Sequence, residues 1–383
     1  MLDISDKLKS IKENNLYREI RYLSMPQDKV TVIDGKKVLL MSSNNYLGLC
    51  NHHKVKQAAI DAINEYGLGS GGSRLTTGGY DLHKKLEEKI AKFKGCEAAL
   101  VFNTGYMANL GVISAICDQD YSIFSDELNH ASIIDGCRLS KGNIIVYKHN
   151  DIKDLEYKIK SINPKKGIIV TDSVFSMDGD IANIPDIIKI AKRYNLLTMI
   201  DDAHATGVIG KNGKGSSEYF NCDVDITVGT LSKAIGSEGG FVCANKKIID
   251  YLKNKARSFI FSTALSPAVI NGAIASFDIL ENDNRLVEKL QSNVSYLCER
   301  LRDIGFDINS ESPIIPIIIG EEHKAMELSK GLLEEGIYIP AIRYPTVNKG
   351  ESRLRMTVMA THDYNDIDFV IQKISEVKNN IKV

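Results

Sequence analysis

From about residue 98 the hydrophobic pattern alternates between two rhythms. Short apolar runs stand at Ala98–Phe102, Tyr121–Phe124, Ile144–Tyr147, Gly167–Thr171, Leu196–Ile200 and Asp225–Val228. Between them, apolar residues recur every three or four positions, as in Met107, Leu110, Ile113 and Ile116. Further helices are expected from about His130, Asp151 and Ile184. Buried strands alternating with one-faced helices predict a mainly parallel sheet with crossover helices, an α/β fold.

The flanking segments follow other rhythms. Residues 1–24 read as a polar helical arm with Leu8, Ile11 and Leu16 on one face. Lys29–Ile33 and Lys37–Met41 flank Asp34-Gly35, a hairpin signal. Ser42–Leu49 is rich in turn formers and reads as a loop. Helices are expected around Val55–Tyr66, Leu82–Phe93, Ile248–Leu252, 266–282 and 285–304. The last part, with strands at Ile314–Ile319, Ile337–Ile342 and Arg353–Met359 and helices at 323–335 and 363–379, loses the regular alternation. It predicts a smaller α+β domain. The expected division is an arm and hairpin over 1–45, a large domain over 46–283 and a small domain over 284–383.

Gly67-Leu68-Gly69-Ser70-Gly71-Gly72 fits the spacing of a dinucleotide-binding fingerprint. That motif needs a strand before it and a helix opening at its third glycine. Here a helical pattern precedes it and the next starts ten residues later, so a loop exposing its backbone near a ligand is the expectation. Arg74 closes this loop, either to bind a substrate or to brace the turn.

Composition narrows the class. The chain has 383 residues, 43% hydrophobic and 25% charged, as in an ordinary globular protein. A net charge of -1 offers no electrostatic case for nucleic acid or an anionic membrane. The first residues lack an apolar leader core, and no apolar run is long enough for a membrane helix. Seven widely spaced cysteines without a Cys-x-x-Cys pair suggest neither a disulfide framework nor a metal site. A cytoplasmic protein with reduced thiols is expected.

In parallel sheets, ligands sit at the carboxyl ends of the strands. Asp172–Asp180, Asp201–Gly207 and Gly229–Gly236 follow three of the expected strands. Carboxylates, a histidine, hydroxyls and Lys233 thus converge on one rim. Lys233 alone could be a surface lysine on a glycine-rich turn. Together these groups match the needs of pyridoxal phosphate: an amine for the aldehyde (Lys233), a carboxylate for the pyridine nitrogen (Asp201) and a flat partner for the ring (His130). The phosphate would take a helix start at Gly105-Tyr106, with hydroxyls from Ser176, Thr230 and Ser232.

These motifs, with Ser42–Leu49 and Asp126–Ser132, resemble the α-oxoamine synthases. Those are pyridoxal-phosphate enzymes of aspartate-aminotransferase fold type, fold type I, which condense an amino acid with an acyl thioester and lose carbon dioxide. The similarity runs from about residue 16 to the C-terminal helix. It implies that Lys233 is the Schiff-base lysine and carrier of the Cα proton, that Asp201 pairs with the pyridine nitrogen, and that His204 lies near the cofactor O3′. It implies that His130 stacks on the ring, that Gly105, Tyr106, Ser176 and Thr230 line the cofactor, and that Asn45 contacts substrate. Ser262 and Thr263 match residues that reach the phosphate from a second subunit, which implies a homodimer with shared active sites.

The segment Arg343-Tyr344-Pro345-Thr346-Val347, followed by Arg353-Leu354-Arg355, is similar to that of the members acting in biotin biosynthesis. The resemblance implies an acyltransferase that uses L-alanine and pimeloyl-CoA or pimeloyl-acyl carrier protein. It makes Arg355 the clamp on the amino-acid carboxylate, with Arg21 and Thr346 as further substrate contacts. Arg353, two residues from Arg355, is expected on the opposite face of its strand. Tyr344 stands where many members carry proline. The runner-up is condensation of glycine with acetyl-CoA, and a different class is a cofactor-binding scaffold without catalysis. His83, His149, His323 and His362 read as surface or structural residues, and Asp202 as a hydrogen-bonding neighbour.

Overall fold

The computed structural model describes residues 4–13 and 16–381. Its strands are β1 (Val30–Ile33), β2 (Lys36–Leu40), β3 (Ala98–Phe102), β4 (Tyr121–Asp126), β5 (Asn143–Tyr147), β6 (Lys166–Asp172), β7 (Leu197–Asp201), β8 (Ile226–Thr230), β9 (Gly240–Ala244), β10 (Ile314–Gly320), β11 (Ile337–Tyr338), β12 (Ala341–Ile342) and β13 (Ser352–Thr357).

Seven of them form the central sheet, in the order β3-β9-β8-β7-β6-β4-β5. Strands β4 to β8 run parallel. The inner strands are buried along nearly their whole length, which is why they read as continuous apolar runs. β5, at the edge, is mostly exposed. β9 was not expected. It runs antiparallel between β3 and β8. A five-residue stretch buried on both faces, right after a glycine-rich loop, gives no period to read.

The crossover helices are Gly105–Ile116, Ala131–Leu139, Ile152–Ile162 and Ile184–Tyr194. Their starts are set by local chemistry. The side chains of Thr104, Asp151 and Asn183 accept hydrogen bonds from backbone amides of the first turn. One core cluster packs Leu100, Ile168, Val170 and Val228 under helix Gly105–Ile116. The largest lies on the other side and joins Tyr46 and Leu47 to helices Asp81–Lys94, Pro267–Asn282 and Arg285–Asp303.

β10, β13 and β12 form an antiparallel sheet of their own. The expected strand Ile337–Ile342 is split. β11 pairs in parallel with β2, while β12 pairs with β13. Pro340 stands at the break and cannot donate to a ladder. Asp34 and Gly35 both have positive φ, as the tight turn between β1 and β2 requires. The helical arm is shorter than expected. It spans Ile4–Glu13, and 16–24 is irregular apart from a bridge between Leu23 and Ile33. Residues 1–3, 14 and 15 of the expected helix lie outside the described residues. Among the described residues, no helix is long and apolar enough to cross a membrane, and all seven cysteines are free thiols.

Candidate active site

The loop after β8 carries Lys233. Backbone bonds from Leu231 N to Gly239 O and from Ser237 N to Leu231 O close it into a compact turn. Thr230 Oγ1 donates to Gly239 O at 2.8 Å and meets Ser232 Oγ at 2.8 Å. At Gly236, φ is positive and an added Cβ would lie 2.5 Å from Cys50 N. Only glycine lets the Ser42–Leu49 loop close onto the lysine loop.

Lys233 Nζ lies 2.8 Å from His204 Nε2. Burial pulls the lysine pKa down to about 8, although the charges of Asp201 and Asp172 oppose it. The lysine is therefore far easier to deprotonate than an ordinary one. His204 is buried, and its Nδ1 lies 2.8 Å from Tyr46 Oη. Burial, then the charges of Lys233 and Arg355, hold this ring well below the usual histidine value. It is a neutral imidazole.

Asp201 ends β7. Its carboxylate accepts hydrogen bonds from Asn109 Nδ2 at 2.7 Å and from Ala203 N at 2.8 Å. Burial raises its pKa, opposed by the Asn109 hydrogen bond and the Lys233 charge. Asp172, at the end of β6, is pushed well up by burial and by the Asp201 charge. It accepts from His130 N at 2.7 Å. His130 is the N-cap of helix Ala131–Leu139, with Nδ1 2.7 Å from Ser132 Oγ. Its ring meets that of Tyr106 edge-on at 6.4 Å.

Gly105 and Tyr106 open helix Gly105–Ile116, whose first amides have no acceptor within the helix. A Cβ on Gly105 would sit 3.4 Å from Thr230 Cβ, so this helix start abuts the end of β8. Ser176 presents its carbonyl to Arg355 Nε at 2.6 Å. Arg355 Nη2 reaches Asn44 Oδ1 at 3.2 Å. Asn45 is turned into its own loop, with its amide donating to Gln27 O and its oxygen accepting from Cys50 N.

Arg353 does not face away from Arg355. It bonds Met177 O and Asp178, on the same Asp172–Asp180 segment that supplies Ser176 O. Side chains alternate along a strand with period two, so residues two apart share a face. The expectation of opposite faces is corrected on that ground.

Arg21 and Thr346 stand apart from this cluster. With Lys330, Tyr338 and Tyr344 they line a cavity of about 580 Å³ bounded by β12. Arg21 is paired with Asp34 at 2.8 Å. Ser262 and Thr263 lie beside the end of β3, where Asn103 Nδ2 donates to Thr263 O at 2.7 Å. Arg74 braces its loop through two bonds to Glu87, at 2.9 and 3.2 Å. Asp202 holds a buried ion pair with Lys94.

Sequence reasoning missed Asn44, Tyr46, Asn109 and Lys94. Asn109 left a signal, being a polar residue four positions before Ile113 on an apolar helix face. The other three are brought in by tertiary contact.

Comparison with known proteins adds a family. Residues 36–374 match the family described as aminotransferase class I and II. A relative from Lysinibacillus sphaericus, named 8-amino-7-oxononanoate synthase, is 52% identical over 97% of this chain and 96% of its own. Among solved structures, the Sphingomonas wittichii serine palmitoyltransferase superposes with a TM-score of 0.95 at 31% identity, covering 100% of this chain and 99% of its own. A high-resolution structure of SPT with PLP superposes with a TM-score of 0.94 at 30% identity, covering 99% of this chain and 97% of its own.

Proposed function

The chain belongs to the class I and II aminotransferase family, among the relatives named 8-amino-7-oxononanoate synthase, and from that premise we propose that it joins L-alanine to a pimeloyl thioester. The bond forms between the alanine Cα and the thioester carbonyl carbon. The alanine carboxylate leaves as carbon dioxide and the thiol as the second leaving group, giving 8-amino-7-oxononanoate for biotin synthesis. The thioester is carried by CoA or by acyl carrier protein. The observation that carries the reading is the half-buried Lys233 against the buried His204 and Asp201, facing an arginine on β13.

Pyridoxal phosphate is the cofactor, and the residues fit it. A lysine amine lowered to about 8 is a usable nucleophile near neutral pH. Two buried carboxylates with raised pKa values, Asp172 and Asp201, call for a cationic partner such as a protonated ring nitrogen. A helix N-terminus suits the phosphate. When bound, this cofactor supplies the electron sink for breaking a bond at the amino-acid Cα.

The protein's residues do the rest. Lys233 takes and returns the Cα proton. Asp201 holds the pyridine nitrogen protonated, and His204 offers a hydrogen bond at O3′. His130 stacks on the ring, while Gly105, Tyr106, Ser176 and Thr230 line it. Arg355 grips the alanine carboxylate and so sets which bond stands across the ring plane. Arg21, Asn45 and Thr346 contact the substrates. In a homodimer, Ser262 and Thr263 of the second copy reach the phosphate.

The test is a product assay by mass spectrometry, pairing alanine or glycine with pimeloyl-CoA or acetyl-CoA. A C9 amino-oxo acid from alanine and pimeloyl-CoA is expected. Product only from glycine and acetyl-CoA would overturn the reading.

A further inference from the structure

Asn109 is the polar side chain on the buried face of helix Gly105–Ile116, beside Ala108, Gly111, Val112 and Ile113. It is 1% exposed. Its Nδ2 donates to Asp201 Oδ2 at 2.7 Å and to Ser132 Oγ at 2.8 Å. Its Oδ1 is buried and meets no partner among the described residues. Asp201 Oδ1 has a donor of its own, Ala203 N, at 2.8 Å. Ser132 Oγ in turn lies 2.7 Å from His130 Nδ1. One amide group therefore links the carboxylate at the end of β7 to the serine that holds His130.

We propose that Asn109 is a positioning residue that holds the Asp201 carboxylate ionised and in one plane, so that the cofactor's ring nitrogen keeps its proton. An ionised carboxylate only accepts hydrogen bonds, so the Asn109 atom that meets it is the NH2 group. The second hydrogen of that group lies on Ser132, which fixes the amide in this orientation. An apolar side chain would fill the same place without burying an unpaired oxygen, which is costly. What the amide adds is its two hydrogens, and one of them is on the carboxylate. Ala203 N alone would hold only Oδ1 and leave the carboxylate free to turn about its terminal bond, a soft torsion. With a donor on each oxygen the plane is set.

This deepens the proposed function and rests on its reading of Asp201 as the partner of the ring nitrogen. A proton shared between a carboxylate and a pyridine nitrogen sits on whichever binds it more tightly. A hydrogen bond to the ionised carboxylate weakens the hold of that group on the proton. Burial raises the Asp201 pKa. The Asn109 hydrogen bond is the largest effect opposing it, ahead of the charge of Lys233 after β8, the Ala203 amide and the charge of His130. Asp172, its register partner at the end of β6, is the carboxylate that faces it. Without Asn109 the proton shifts toward Asp201 and the ring nitrogen is left neutral. Asn109 acts through Asp201 alone.

The test uses Asn109→Leu and Asn109→Ala, one filling the place and one leaving it partly empty, neither with a donor. In apoprotein labelled with carbon-13 at the aspartate carboxyls, the Asp201 signal is assigned by its absence in Asp201→Asn. Both variants should titrate that signal at higher pH than wild type. In holoprotein carrying nitrogen-15 in the cofactor ring, wild type should show the protonated ring nitrogen, and both variants should move toward the neutral one. Turnover should fall about 10–100-fold, the worth of a hydrogen bond to a charged group, while the alanine dissociation constant stays within about twofold. An unmoved Asp201 titration overturns the proposal, and so do shifts of opposite sign in the two variants, which would mark a packing role. Should neither variant fold, wild-type apoprotein decides. The side-chain amide hydrogens of Asn109 are expected to exchange slowly with water, and fast exchange overturns the proposal. A neutral ring nitrogen in wild type would count against the part given to Asp201 in the proposed function, while the apoprotein titrations would still decide what Asn109 does.

Discussion

Lys94 Nζ lies 2.7 Å from Asp202 Oδ2, with the two side chains 2% and 0% exposed. The pair sits one residue from Asp201, behind the sheet rim. Gly215 makes room for it, since a Cβ there would lie 2.2 Å from the same carboxylate oxygen, and Ser216 N donates to that oxygen at 3.1 Å. Removing one partner of a buried ion pair leaves an uncompensated charge, at a cost of about 3–5 kcal/mol. Lys94→Met should therefore lower the urea midpoint strongly, and adding Asp202→Leu should recover much of the loss. Equal stability of wild type and Lys94→Met would show that the pair contributes nothing.

His149 joins the end of β4 to the Asp172–Asp180 segment. Its Nδ1 lies 3.0 Å from Asp126 Oδ1 and its Nε2 lies 3.0 Å from Asp180 Oδ2. Burial lowers the ring pKa, but the hydrogen bonds to Asp126 and Asp180 outweigh it and push it up to about 10 from 6.5. A raised folded-state pKa gives stability that is fully present below the unfolded value and is lost as pH rises through the folded one. The stability gap between wild type and His149→Gln should thus be full near pH 6.5 and close as pH approaches about 10. Denaturant melts of both proteins across that window check it. A gap that widens with pH would mean the ring is neutral.

Lys233 and Asp201 make separable predictions. Borohydride treatment of the holoprotein, followed by peptide mapping, should place the pyridoxyl label on Lys233. A label on any other lysine removes Lys233 from its role. Asp201→Asn should keep the cofactor bound, because the amide preserves shape and a hydrogen bond. Turnover should fall by about 100-fold or more, since an amide cannot hold the ring nitrogen protonated. Near-normal turnover would exclude Asp201 as the ring partner.

Arg355 and Arg353 share a face of β13 but differ in what they hold. Arg353 is tied to Asp178 and Glu351, whereas Arg355 bonds only neutral groups, Ser176 O and Asn44 Oδ1, among the partners given above. Arg355→Lys keeps the charge but loses the planar two-point grip on a carboxylate. The apparent alanine KM should rise about tenfold or more, with kcat reduced as well. Arg353→Lys should change alanine KM less and act mainly on stability through the Asp172–Asp180 segment. Steady-state kinetics with alanine varied at saturating thioester separate the two. The reverse ranking would move the clamp to Arg353.

The strands β4 to β8 and the helices Ala131–Leu139, Ile152–Ile162 and Ile184–Tyr194 were legible in the sequence, because the strands are short continuous apolar runs and the helices between them carry apolar positions at helical spacing. Lys233, His204 and Asp201 were legible as candidates as well, since each stands at or just past the end of a strand whose carboxyl end must face the same rim. Pairing with distant segments was not legible. β9 looks like any short apolar stretch until β3 and β8 enclose it, and Ile337–Ile342 reads as one strand until β2 and β13 take different halves. Asn44 and Asn45 are neighbours of the same type in a loop without periodicity, so only the packing of that loop on Gly236 decides which one meets Arg355.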